Sequence, residues 1–533
     1  MPAKGDFSRI ALRIQGYRRE RTHGLANHFT CRLFYKEKYD HYKGAVVEYM
    51  VSRNTEINLH NYITFIEDAS EQDVDVIVFP EMTLYIGGLV EVPIHGDLKE
   101  YPVPAEHPDK YHEILVKLSE AAKLGQIYVV INIQEVMNCS IAAEAEECPD
   151  DETYRFNTNV VFDRNGAVID RFRKINLFGE NRSPALKPDL GIFTTDFGVT
   201  FGHFICFDLL FQIPANQVIE KHQVTDILFP SMWFSELPYL TAVQIQEAFA
   251  YAENVNFLAA GANNVGVGSA GSGIYSGKAG ALISIMPATP TTRMLVADIP
   301  KAPGMIKTKY PGHIAEDPNK IDRIAMIRDP SLGAHITRLL VAGNNDFTLE
   351  YEDMRCRFRV NLNYQTSEKV YSYRAGVLDG IRTYSGLASG GVRICSVFAC
   401  VNETIEGCGI SYDNYVKERT AVFRRLEITA TGPSPQLTEI NARDSFYYAV
   451  SSDVTLMPLK SEDYKFNVKS GVRGEYELIL VNHDVELLGF AVWGRVFDRD
   501  GGEPTPDYDS AMIHGINSLL IFITVALVIF KQY

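Results

Sequence analysis

The sequence predicts an α/β domain followed by a β-rich domain, and three observations carry that reading. From Gly44 to about residue 310, short apolar strands alternate with segments whose apolar residues recur at helical spacing. From roughly residue 320 to 505, segments rich in β-branched and aromatic residues follow one another between Gly, Pro, Asn and Asp. The 533 residues, 46% of them hydrophobic, are enough for two or three cores.

Taken in order, "GAVVEYMV" from Gly44 reads as a strand, Ile57 to about Ser70 as a helix, and "DVDVIVFPE" as a buried strand. A helix through "YHEILVKLSEAAKLG" and a strand "IYVVINIQEV" form the next unit. "TNVVFDRNGAVIDRFRK" reads as a hairpin turning at Asn165-Gly166. The strand "VTFGHFICFD", a helix after Pro214, the strand "TDILFPSMW", a helix from Thr241 to about Asn254 and the strand "NFLAAGANN" complete the first domain, residues 44–310. "PKAPGMIKTKYPGHIAEDPNK" reads as a linker to the β-rich domain, 320–505. No internal repeat is visible.

Both termini differ from this body. Residues 1–43 carry ten Lys/Arg against four Asp/Glu and no apolar run, which reads as a solvated basic extension without the apolar stretch of a secretory signal. Residues 506–533 end in the apolar run "LLIFITVALVIF", Leu519 to Phe530. It is short for a bilayer span of about 20 residues. A GPI-attachment signal fits it, with a tail-anchored helix or a buried terminal helix as alternatives.

Charge and cysteines bound the function. With 67 Asp+Glu against 51 Lys+Arg, a basic nucleic-acid-binding face is disfavoured, and a small-molecule or protein partner is favoured. Of eight cysteines, Cys139 and Cys148 flank an acidic loop a disulfide can close, and Cys356, Cys395, Cys400 and Cys408 allow three pairings. Sequons at Asn138 and Asn402 agree with the oxidising exterior that this cysteine usage suits, and one at Asn181 falls within the candidate catalytic stretch. Cys206 has no evident mate.

Three polar groups close or leave predicted strands: Glu81 in "VIVFPE", Lys174 in "DRFRKINLFGE" and Cys206 in "HFICFD". Sites collect at the carboxyl ends of strands in α/β sheets, so the three are expected to converge. A thiol becomes a nucleophile by losing a proton, which a carboxylate can take and an ammonium can compensate. Glu81 is then the base and Lys174 the cation. Lys174 and the backbone N–H of Phe207 would face a developing oxyanion, giving acyl transfer through a thioester. Asp208 reads as a cap or turn acceptor and His203 as a core histidine with satisfied nitrogens.

"FPE", "RKINLFGE" and "ICFDLLF", in this order, resemble the Glu-Lys-Cys motifs of the nitrilase/carbon-nitrogen hydrolase superfamily. "FPSMWFSELPYLTAVQIQEAFAYAENVNFLAA" and "GSGIY" are similar to the vanin and biotinidase branch, and the resemblance runs from about Gly44 through the second domain. It implies a four-layer αββα sandwich with a vanin-type β-rich domain, and hydrolysis of a linear amide without metal or organic cofactor. It also implies catalytic roles for Glu81, Lys174 and Cys206, an orienting role for Glu180, and a substrate pocket that includes Trp233 and Tyr275, for which ordinary aromatic core is the other reading. Pantetheine is the first expected substrate and biocytin the second; an inactive surface-binding relative is the rival from another class. Monomer and homodimer both stay open.

Overall fold

The computed structural model describes residues 40–508, apart from 86–87, 93–99, 140–147, 188, 365–369 and 413–419. Residues 1–39 of the basic extension, Cys31 among them, and the apolar run Leu519 to Phe530 therefore lie outside the described residues, while His41–Lys43, assigned to that extension, open the strand His41–Glu48.

Two seven-stranded sheets face each other. The first runs in the order Arg293–Pro300, His41–Glu48, Val76–Val78, Tyr128–Asn138, Thr153–Phe162, Val168–Arg173, with Val90–Glu91 beside Tyr128–Asn138. The second runs Gly312–Ile314, Ala281–Ile285, Ser272–Ser276, Asn256–Gly261, Asp226–Ser231, Thr200–His203, Gly191–Thr194. Central strands of both pair in parallel, so their carboxyl ends open on one edge. Such strands are apolar on both faces because each face is covered. Val46, Val76, Val130, Leu228, Leu258 and Ile274 fill the space between the sheets.

Helices cover the outer faces, giving the expected four layers. Thr55–Glu71 starts where the Asn54 side chain accepts from the Glu56 N–H, and lays Leu59, Tyr62, Ile66 and Ala69 on the first sheet. Glu113–Gly125 packs beside it and stops at Gln126, whose φ of 53° is left-handed. Ala242–Glu253 covers the second sheet. Its start is a capping box between Thr241 and Gln244, and every residue from Ala242 to Ala250 is buried. A helix buried all round needs cover on both sides, and the second domain supplies it, with Gln244 donating to Ser451 O at 3.1 Å.

That domain is a sandwich of two five-stranded sheets, with the core Cys356, Phe358, Val377, Val397, Ile428 and Phe490 between them. The disulfide Cys356–Cys395 joins one sheet to the other, and Cys400–Cys408 closes a loop. Cys139–Cys148 forms at the acidic loop as its spacing predicts. The outer face of one sheet, with Ile394, Phe398, Tyr448 and Trp493, joins Ile245 and Phe249 in one continuous core. Arg443 pairs with Glu220 and with Glu253 across the same boundary.

Two expectations need correction. The strand predicted over "VTFGHFICFD" ends at His203, and Cys206–Leu210 is a 3-10 turn. The predicted linker is not all linker, because Gly312–Ile314 adds to the edge of the second sheet beside Ala281–Ile285.

Candidate active site

Glu81 leaves the first sheet three residues after the strand Val76–Val78. Met82 then takes φ 54° and donates its N–H to Asn132 Oδ1 at 2.8 Å, which turns the chain and fixes the carboxylate. Lys174 follows the strand Val168–Arg173 and stays in register through its N–H to Asn157 O, 2.8 Å. Gly179, at φ 74°, then returns the chain so that Glu180 faces Lys174.

Cys206 arrives from the opposite sheet. Its φ of 48° lies in the left-handed region that a side chain disfavours, so the turn is strained and must be held. Asp208 holds it. Oδ1 accepts from Asn176 N at 2.8 Å and Nδ2 at 2.9 Å, and Oδ2 accepts from Ile205 N at 3.2 Å. The cap reading of Asp208 is therefore correct, and the cap also ties the cysteine turn to the chain just after Lys174. Burial pushes the Asp208 carboxyl up to about 7. His203 is a core residue as expected, its nitrogens facing Asp170 at 3.0 Å and Asn159 at 3.4 Å.

The four polar groups meet in one place. Lys174 Nζ donates to Glu81 Oε1 at 2.8 Å and to Glu180 Oε1 at 2.7 Å. Glu81 Oε1 also accepts from Asn157 Nδ2 at 2.7 Å, and its Oε2 from Met232 N at 2.8 Å. Cys206 Sγ donates to Met232 O at 3.5 Å and lies within hydrogen-bonding reach of Glu81. Burial disfavours the Lys174 ammonium, but the anionic surroundings, Glu81 first and Glu180 with it, outweigh that and hold it above its ordinary value. Burial, then the Glu81 charge, push the Cys206 thiol well above its ordinary value, against the pull of Lys174. Burial would raise Glu180, yet Lys174 brings it below the usual carboxylate range. The resting sulfur is thus a protonated thiol beside an ion-paired carboxylate. Such a set can move a proton from sulfur to carboxylate as the sulfur forms a bond, with an ammonium placed for the charge that develops.

A cavity opens at the sulfur, lined by Phe178, Cys206, Phe207, Leu210, Trp233, Phe234, Glu236, Leu240 and Tyr384. Trp233 and Phe207 line it. Tyr275 does not: it is fully buried in the strand Ser272–Ser276, with its hydroxyl donating to Gln246 Oε1 at 3.0 Å. The expected substrate contact at Tyr275 is therefore corrected to a core role, because its partner is a neighbouring helix. Among the described residues, no group of three His, Cys, Asp or Glu is arranged to hold a metal ion.

Sequence reasoning missed Asn157, Glu236 and Tyr384. Asn157 leaves a faint signal, a polar residue at an inward position of "TYRFNTNVVF" where an apolar one is expected. Tyr384 leaves none, since it reaches the cavity from the second domain.

Comparison with known proteins gives the family. The carbon-nitrogen hydrolase family matches residues 45–301, and the vanin C-terminal domain matches 324–500. Vanin-like protein 2 of Drosophila melanogaster is 34% identical, covering 87% of this chain and 91% of its own. Human pantetheinase is 31% identical over 81% of this chain and 88% of its own, and human biotinidase 28% identical over 69% and 73%. With both halves of the sequence matched and the fold in agreement, this chain belongs to the vanin family of carbon-nitrogen hydrolases and is a hydrolase of amide bonds other than peptide bonds.

Proposed function

We propose that the chain is a pantetheine amidohydrolase in which Cys206 is the nucleophile, Glu81 the proton acceptor and donor, Lys174 the oxyanion stabiliser and Glu180 the residue that orients the lysine. The observation that carries this reading is the contact of Lys174 Nζ with Glu81 at 2.8 Å, with the buried free thiol of Cys206 beside both. The first step transfers the thiol proton to Glu81 while sulfur bonds to the amide carbon. The carbonyl oxygen becomes an oxyanion facing Lys174 and the backbone N–H of Phe207. Collapse returns that proton from Glu81 to the departing nitrogen, leaving a thioester on Cys206 and a free amine. Water then gives a proton to Glu81 and its oxygen to the acyl carbon, and the thiol is restored as the acid departs.

The similarity to pantetheinases supports pantetheine, whose products would be pantothenate and cysteamine. Biotinidase similarity favours biocytin as the second reading. Purified protein incubated with each compound and scored for primary amine decides between them, and Cys206→Ala must lose the activity while keeping its melting temperature. Release from neither compound defeats the proposal.

We assign the catalytic domain to 44–310 and the second domain to 320–505, and place the protein on the extracellular face of the cell membrane. The three disulfides support an oxidising compartment. Treatment of intact cells with phosphatidylinositol-specific phospholipase C should release a GPI-anchored form; retention of the whole population argues for a spanning tail.

A further inference from the structure

The cavity at Cys206 is completed by the second domain. Strands Ser372–Tyr384 and Ala388–Cys400 form a hairpin whose turn leans on the loop between Lys174 and Glu180. A methyl group added at Gly179 would come within 2.9 Å of Leu387 Cδ1, which shows how closely the two loops approach. Tyr384, at the end of its strand, meets the Phe207 ring edge-on at 5.2 Å. The guanidinium of Arg382 lies 4.4 Å from the Tyr384 ring and is itself pinned by Glu236 and by Asp329, the latter at 3.1 Å. The tyrosine is thus fixed on two sides.

Its hydroxyl has no hydrogen-bond partner among the described residues, although Tyr384 is only 2% exposed. Buried hydroxyls are nearly always bonded, so this one lacks a partner that something else supplies. Glu236 lines the same cavity, 4% exposed, with Arg382 on Oε2 and, among the described residues, no hydrogen bond at Oε1. Apart from the thiol, the remaining wall is aromatic or leucine. Two polar groups therefore stand in an apolar cavity, a phenol that can donate and a carboxylate oxygen that can accept. A ligand hydroxyl answers both, accepting from Tyr384 and donating to Glu236. The acyl part of an amide substrate stays on the sulfur through both half-reactions while the amine leaves, so groups that line the cavity beside Sγ are placed to meet the acyl chain.

We propose that Tyr384 and Glu236 are specificity-determining residues that together bind a hydroxyl group on the acyl chain of the substrate. This rests on the thioester reading of Cys206, and it names the substrate class: acyl chains bearing a hydroxyl, preferred over plain aliphatic acyl chains of the same length.

The test uses two chromogenic amides, pantothenoyl p-nitroanilide and the analogue with both hydroxyls replaced by hydrogen. Wild type should favour the hydroxylated probe, and Tyr384→Phe, which keeps the packing ring, should cut the ratio of the two kcat/KM values about tenfold, the scale of one lost hydrogen bond to a substrate. Glu236→Gln should lower the ratio in the same direction. A packing role would depress both probes together and leave the ratio unchanged, which overturns the proposal, as does a ratio in Tyr384→Phe within twofold of wild type. If pantetheine is not cleaved while the ratio shifts as stated, the substrate assignment falls and the hydroxyl-binding pair stands. Cleavage of pantetheine with an unmoved ratio gives the reverse. Turnover of neither probe overturns the pair irrespective of pantetheine.

Discussion

Replacing Glu180 with glutamine isolates what the second glutamate contributes. The wild-type carboxylate accepts on both oxygens, Oε1 from Lys174 Nζ at 2.7 Å and Oε2 from the Phe178 N–H. Glutamine keeps the shape but has one oxygen. If that oxygen faces Lys174, the amide NH2 meets the Phe178 N–H; if the amide is reversed, the NH2 meets the ammonium. Either way one buried donor loses its acceptor and Lys174 keeps a single anionic partner, Glu81. Hydrogen bonds to charged groups are worth about 1.5–3 kcal/mol, so kcat/KM should fall by roughly 10- to 150-fold. The loss should lie in kcat, since the lysine acts on charge that exists only in the transition state. Amine release from pantetheine, measured over a substrate range with the melting temperature as a check on folding, provides the assay. A fall of less than about threefold, or one confined to KM, would refute the assignment of an orienting role.

Further outcomes follow from the same geometry. Glu81→Gln removes the proton acceptor while preserving an oxygen for Lys174, and turnover should drop by about 100- to 10,000-fold in steady-state assays; retention of a tenth of the activity would disprove the role. Because burial and Glu81 hold the thiol above its ordinary value of 9.0, ultraviolet titration of Cys206 should detect no thiolate at neutral pH, and a thiolate at pH 7 contradicts the neutral resting state. Arg382→Met leaves Glu236 and Asp329 buried without their cation and should cost about 3–5 kcal/mol in denaturant unfolding; a loss below 1 kcal/mol would count against the buried network. Burial raises Glu48 from 4.5 to about 7. Between those values the unfolded chain releases the proton while the folded one keeps it, so stability linked to Glu48 is lost as pH rises. The unfolding free energy of Glu48→Gln relative to wild type should then climb by roughly 1.4 kcal/mol per pH unit across that window, and a flat difference would contradict the shift.

The sequence made the alternation of strands and helices readable because each helix carries its own apolar stripe and stop, as with Leu59, Tyr62 and Ile66 before Gln72. Glu81, Lys174 and Cys206 were legible as polar groups closing or leaving predicted strands, and Glu180 only through the family resemblance of "RKINLFGE". The turn at Cys206 was hidden, since "FICFDLLF" holds no Gly or Pro. What breaks the strand is Asp208 bonding to Ile205 N and to Asn176, and a contact 32 residues away leaves no local pattern. Tyr275 misled because a buried tyrosine in a strand reads the same whether its hydroxyl meets a ligand or Gln246. Tyr384 was invisible for a similar reason: its neighbour Phe207 lies far back in the chain, and only the docking of the two domains joins them. The pairing of the four late cysteines was equally undetermined until the strands carrying Cys356 and Cys395 were placed in facing sheets.

The helix Ala242–Glu253 turns Ile245 and Phe249 towards the second domain. A ribosome that had released only the first three hundred residues would leave Ile245 and Phe249 without their covering sheet, an adhesive stripe exposed to every neighbouring nascent chain. Truncated transcripts should therefore yield insoluble material instead of a smaller working enzyme, and swapping the rear sandwich between relatives should succeed only where the contact surface is exchanged along with it.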